Sequence, residues 1–148
     1  MIEPTDISRF RSYEAILVSH TFSVRIYYED TDFSGNVYHA AYLKFMERAR
    51  TEFLRERGVH HRELLEKNDM AFAVRNMDIW FDRPAHIDDE LEVMTELVAI
   101  RGARMELSQK VLRNEEVLMR ATVIVVSISM QGRPKRLSPE IVEKLSAP

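Results

Sequence analysis

Three carboxylates crowd one short run of this chain, YYEDTDFSGNVYHAAY from Tyr27 to Tyr42: Glu29, Asp30 and Asp32. A turn with Asp, Ser, Gly and Asn follows, and then the strongest helical pattern in the sequence. A carboxylate a few residues before a helix start faces backbone N–H groups that lack intrahelical partners. Those donors, with the positive end of the helix dipole, can polarise a carbonyl oxygen that becomes negative during attack. The carboxylate can then attack the carbonyl carbon or deprotonate a water that does so. The competing reading is structural, because acidic residues near helix starts commonly cap the helix and complement its dipole.

The elements that must position this segment can be read from periodicity. Phe22 to Glu29 (FSVRIYYE) mixes β-branched and aromatic residues and reads as a strand. From Tyr38 to Arg57, the residues Tyr38, Tyr42, Phe45, Met46, Ala49 and Phe53 recur at steps of three and four. That spacing predicts one amphipathic helix, with Lys44, Arg48, Thr51 and Arg55 on its far side. Asn36 is the expected N-cap and Gly58 the expected stop. A short polar helix is expected over His60 to Lys67. Met70 to Phe81 reads as a strand whose alternation slips near Arg75 and Asn76, the mark of a bulge. Period-two alternation continues through Leu91, Val93 and Leu97, then through Met105, Leu107, Gln109 and Val111. Val117 to Met130 is almost continuously apolar and should be a central strand. Tight connections at Gly102 and at Asn114-Glu115 make the last three strands an antiparallel meander. Ser138 to Leu145 should close the chain as a helix with Pro139 in its first turn.

One long helix against about five strands gives an α+β protein, with a hot-dog arrangement as the leading option: a central helix wrapped by a curved antiparallel sheet. Such a layer leaves sheet edges and apolar surface open, so a homo-oligomer, dimer or tetramer, is expected. Residues 1–20 read as a loose arm and 21–148 as one domain. The chain has 148 residues and a formal net charge of -3, which argues against nucleic acid as a partner. It has no cysteine, so disulfides, thiolate metal sites and cysteine nucleophiles are excluded. Met1 to His20 carries five charged residues and no apolar core, unlike a signal peptide, and a cytoplasmic location is the expectation.

The pattern R-I-x4-T-D-x2-G-x-V-Y, from Arg25 through Tyr38, resembles the signature of the 4-hydroxybenzoyl-CoA thioesterase family. The string from YYEDTD through Tyr38-His39 and ERARTEFLR is especially similar to the Tol-Pal-associated acyl-CoA thioesterase branch. The likeness continues through Phe72 to Arg75, Pro84-Ala85, Asp88-Asp89 and Arg101-Gly102. It implies the hot-dog fold, hydrolysis of acyl-CoA without metal or cofactor, and dimers usually paired into tetramers. It places the catalytic carboxylate on Asp32 and the carbonyl-polarising backbone amide on His39. It also sets Gly35 and Tyr38 at the substrate, and hints at partners in the envelope machinery. Position 36 is Asn where the family usually has an apolar residue, and Phe33-Ser34 replace smaller ones. Both changes bear on the pocket mouth.

Other residues carry two readings each. The His39 side chain could orient water or hold Asp32 ionised, or only its backbone could serve. Glu47 is a reserve carboxylate, since other hot-dog branches place theirs on the helix; its angular position suggests a solvated or interface residue. His60-His61 are about 100° apart if helical and have no partner at ligand spacing, so no metal site is expected. Coenzyme A phosphates need basic residues at the pocket entrance. Arg101 and Arg104, flanking the Gly102 turn, are the best candidates, ahead of the Arg133 to Arg136 cluster and Arg83; each is also readable as a solvated basic turn. Phe45, Met46 and Phe53 read as core, while Tyr38 and Tyr42 could line an acyl channel. Two rivals to hydrolysis stand: a hot-dog dehydratase, whose glycine-histidine-phenylalanine-proline segment is missing here, and an acyl-CoA-binding or scaffold protein with little turnover.

Overall fold

The computed structural model describes residues 18–148. Most of the predicted arm, residues 1–17, therefore lies outside the described residues. Its last three residues are already sheet, because strand β1 runs Val18–Arg25. The expected strand thus ends four residues early. A 3₁₀ turn at Tyr28–Asp30 pulls the chain off the sheet. The amide of Tyr27 donates to the Asp30 carboxylate at 2.8 Å, and the Thr31 amide to the Tyr28 carbonyl at 3.1 Å. Asp30 is thereby a structural carboxylate that caps the turn.

Helix α1 spans Ala41–Glu56 and buries Tyr42, Phe45, Met46, Ala49, Phe53 and Leu54. Burying Phe45 and Phe53 stabilises the fold by about 1.5–3 kcal/mol each. The helix begins three residues later than its pattern suggests, and Asn36 does not cap it. Asn36 pairs instead with His86 in an isolated bridge, and its carbonyl accepts from the Asp32 amide at 2.9 Å. The N-cap is Ala40, with no side-chain hydrogen bond. The C-terminal stop is as expected. Gly58, at φ +76°, donates to Arg55, and Val59 donates to Leu54, which closes a Schellman motif.

Helix α2 (His61–Asn68) leads into β2 (Ala71–Phe81), followed by β3 (Glu90–Arg101), β4 (Arg104–Arg113), β5 (Glu116–Ile128) and α3 (Pro139–Ser146). All neighbouring strands are antiparallel, in the order β1-β3-β4-β5-β2. The register of β2 shifts between Val74 and Asn76, where the alternation slipped. The inward faces of the central strands are apolar, with Leu91, Val93, Val111, Met119 and Val123 fully buried. Helix α1 lies against β1 and β3, α2 against β2 and α3 against β3. One long helix held by a five-stranded antiparallel sheet is the hot-dog fold. Among the described residues no helix is long and apolar enough to cross a membrane. Strands β1 and β2 are the two edges, and the Phe81 end of β2 borders the start of α1 through Tyr42.

Candidate active site

The segment between β1 and α1 is a narrow hairpin. Thr31 bridges Val37, the Asp32 amide donates to Asn36, and the Gly35 amide donates to the Asp32 carbonyl at 3.0 Å. Gly35 sits at φ +85°, a conformation that a side chain would strain. This turn sets the Asp32 side chain on the surface. Its Oδ1 accepts from the Ser34 amide at 2.8 Å and from the Ser34 hydroxyl at 2.5 Å. Those bonds favour the charged carboxylate, the hydroxyl most, and the nearby His39 adds a smaller push. Together they hold its pKa below the ordinary value of 3.8. Asp32 is ionised at neutral pH.

The hairpin then delivers the chain to α1 through Tyr38, whose amide donates to the Asp30 carbonyl at 2.9 Å. Among the described residues the amides of His39 and Ala40 have no acceptor. An uncapped helix start thus presents open donors seven residues after an ionised aspartate. The His39 ring packs on Tyr38 and Phe81, with centroids 4.5 and 6.2 Å apart, and makes no hydrogen bond to Asp32. Tyr38 is half exposed, whereas Tyr42 is buried and its hydroxyl accepts from the Ala85 amide at 3.2 Å. Tyr42 therefore belongs to the core and cannot line a channel. Phe33, Tyr27, Tyr28 and Phe81 are exposed around the hairpin. Such an apolar surface beside a charged group is what a covering partner would bury.

Arg101 and Arg104 do not join this site within one chain. They pair across the β3–β4 turn in the row Arg104–Val126–Ala73, while His39 packs near Phe81 in the row Phe81–Met119–Val111. The rows are seven residues apart along β4, roughly 23 Å. Near the hairpin, Arg113 holds Asp89 at 2.8 Å and Arg83 holds Glu116 at 2.7 Å, so these arginines are engaged in ion pairs.

A cavity of about 120 Å³ lies elsewhere, between the second half of α1, α2 and β2. Asp32 does not line it. Glu47, Arg50, Thr51 and His61 do. Thr51 donates to Glu47 at 2.8 Å and meets the His61 ring at 3.0 Å, so it is not on a solvated far face as its spacing suggested. Arg50 escaped sequence reasoning, although the signal was present. It falls on the apolar stripe, four residues after Met46 and three before Phe53, where a charge has no place without a purpose.

A profile of the thioesterase-like superfamily matches residues 26–145. The chain belongs to this superfamily. It is 44% identical over 110 residues to the acyl-CoA thioesterase YbgC of Haemophilus influenzae, covering 74% of this chain and 81% of that one. A crystal structure of a probable thioesterase from Bartonella henselae superposes with a TM-score of 0.79 at 43% identity, covering 82% of this chain and all of the other. A mutant of 4-hydroxybenzoyl-CoA thioesterase complexed with 4-hydroxybenzoyl-CoA superposes with a TM-score of 0.83, covering 86% of this chain and 99% of that one. At 21% identity it shares the superfamily's fold alone.

Proposed function

We propose that this thioesterase-superfamily chain hydrolyses acyl-coenzyme A thioesters to the free acid and coenzyme A. One observation carries the reading: an ionised, Ser34-oriented Asp32 stands just before a helix start whose His39 and Ala40 amides are open. The amides receive the thioester oxygen as it gains charge. Asp32 either attacks the carbonyl carbon, expelling the thiolate and leaving an anhydride for water to cleave, or takes a proton from the attacking water. No metal or cofactor is needed for either route. The names of the relatives, thioesterase and thioester hydrolase, favour turnover over mere binding.

The second copy is part of this reading. In the single chain Asp32 is exposed, and the cavity beside Arg50 does not reach it. Strand β2 is an edge of 11 residues with Val74, Arg75, Asn76 and Phe81 exposed, a surface suited to pairing with itself. Antiparallel pairing of two β2 strands about Asn76 would bring the Phe81 end of one copy beside the Phe72 end of the other. The partner would then cover the aromatic hairpin, and its Arg101 and Arg104 would lie at the same end as the Asp32 they serve, available to the coenzyme A phosphates. A dimer or tetramer, a cytoplasmic setting and envelope-machinery contacts complete the proposal; sedimentation, fractionation and affinity capture check them. The central test is thiol release from a panel of aliphatic and aromatic acyl-CoA esters. Cleavage that depends on Asp32 supports the reading, and a panel left intact by the folded oligomer would sink it.

A further inference from the structure

Arg50 is a half-buried cation with no carboxylate paired directly to it. Its guanidinium donates to the Gln109 carbonyl oxygen at 3.0 Å, and among the described residues no carboxylate comes within 4.0 Å. Gln109 is fully buried, and its amide nitrogen donates to the Met46 carbonyl at 3.0 Å and to Thr95 at 2.9 Å. A core glutamine pinned in this way fixes the guanidinium, whose remaining donors are left for the cavity it lines. Burial pulls the Arg50 pKa down, the direction expected of a cation short of water, and the nearby Glu47 carboxylate offsets only part of that pull. The other walls include Phe53, Phe72, Leu107 and Val125, with Glu47, Thr51 and His61 as the remaining polar lining, so the charge faces a mainly apolar space.

A buried charge with no partner is costly, and proteins normally retain one only when something pairs with it. Glu47 is near enough to attract the guanidinium but forms no ion pair with it within 4.0 Å. It is exposed at the rim and accepts from Thr51 instead. We propose that this cavity is the acyl subsite, and that Arg50 selects acyl groups ending in a carboxylate remote from the thioester. The inference rests on the thioesterase reading above and on pairing through β2, which sets the cavity of one copy against the Asp32 hairpin of the other. Within one chain Arg50 is nine residues past the helix start, about 14 Å along its axis, so a short acyl group from its own Asp32 falls short. The volume, about 120 Å³, is a little below the ~150 Å³ of a cavity that accepts benzene. That room suits an acyl tail of roughly four to six heavy atoms. Glu47 at the mouth opposes an anion, but water screens it there, whereas Arg50 acts inside where screening is weak.

The test compares glutaryl-CoA with 5-methylhexanoyl-CoA, which has the same branched end without oxygen or charge. Binding is measured by calorimetry on Asp32→Asn protein, so that the outcome does not depend on turnover. The expected result is glutaryl-CoA binding at least tenfold tighter, with the ratio falling to one or below when Arg50→Gln is added. The apolar ester binding equally well or better in Asp32→Asn protein overturns the proposal, even if the double variant fails to fold. So does a ratio that Arg50→Gln leaves unchanged in folded protein. Thiol release by the unaltered protein is scored separately. Preferential binding without release would sink the thioesterase reading and spare the subsite, and release without preference would do the reverse.

Discussion

Ser34 donates both its amide and its hydroxyl to the same oxygen of Asp32, at 2.8 and 2.5 Å. Among the described residues the other carboxylate oxygen has no protein donor and is left for water or a carbonyl carbon. One short turn thus fixes the direction, the charge and the free face of the group on which the chemistry depends.

Asp32→Asn keeps the shape of the turn while removing the negative charge and the basic oxygen. Turnover of acyl-CoA should fall by roughly 10²–10⁴-fold, with the oligomer unchanged by sedimentation. Full turnover in this variant would rule out the assigned mechanism.

Ser34→Ala removes the largest cause of the lowered Asp32 pKa. The carboxyl pKa should rise, and the acid limb of kcat/KM against pH should move to higher pH. The stability sign follows from the same shift. A folded pKa below 3.8 gives stabilisation that is complete above that value and is lost as pH falls through the folded pKa. Acid unfolding of the Ser34→Ala protein should lose that contribution.

The two roles open to His39 separate by substitution. His39→Ala keeps the backbone N–H and should lose less than about tenfold in kcat. His39→Pro removes it and should lose about 10²–10³-fold, the usual cost of one oxyanion donor. Melting curves establish that each variant is folded. Equal losses in the two would return the role to the imidazole.

Gln109→Ala should destabilise the protein by about 3 kcal/mol, read by urea unfolding. It opens a void in the core and strands the Met46 carbonyl and the Arg50 guanidinium without their partner.

Glu115→Gly should have the opposite sign. Asn114 and Glu115 form the two-residue β4–β5 turn at φ +48° and +72°. Asn tolerates this conformation, but Glu is strained in it. Relief of that strain, less the extra chain entropy of glycine, should stabilise by about 0.5–1 kcal/mol. A lowered urea midpoint would contradict this account of the turn.

The elements were legible wherever a local rule sufficed. The stripe from Tyr42 to Phe53 is helix, the slip at Arg75 is a bulge, and Gly58 stops α1, because periodicity and left-handed turns act over a few residues. The errors gathered where distant segments compete for the same groups. Asn36 pairs with His86, some fifty residues on, and so never caps the helix. Tyr42 is held by Ala85, and Asp30 is used up by its own 3₁₀ turn, which singles out Asp32 among the three acids.

By itself the sequence determined the α+β inventory, the hairpin-to-helix junction and the residue types of a carbonyl-attacking site, since all of these are encoded within contiguous stretches. Only the tertiary structure decided what surrounds them. It set Arg101 and Arg104 at the far end of the sheet from their own Asp32, and it packed Arg50 against the buried Gln109 beside a cavity. Strand order and register place those groups, and both are fixed by packing between residues far apart in the chain, which no local pattern records.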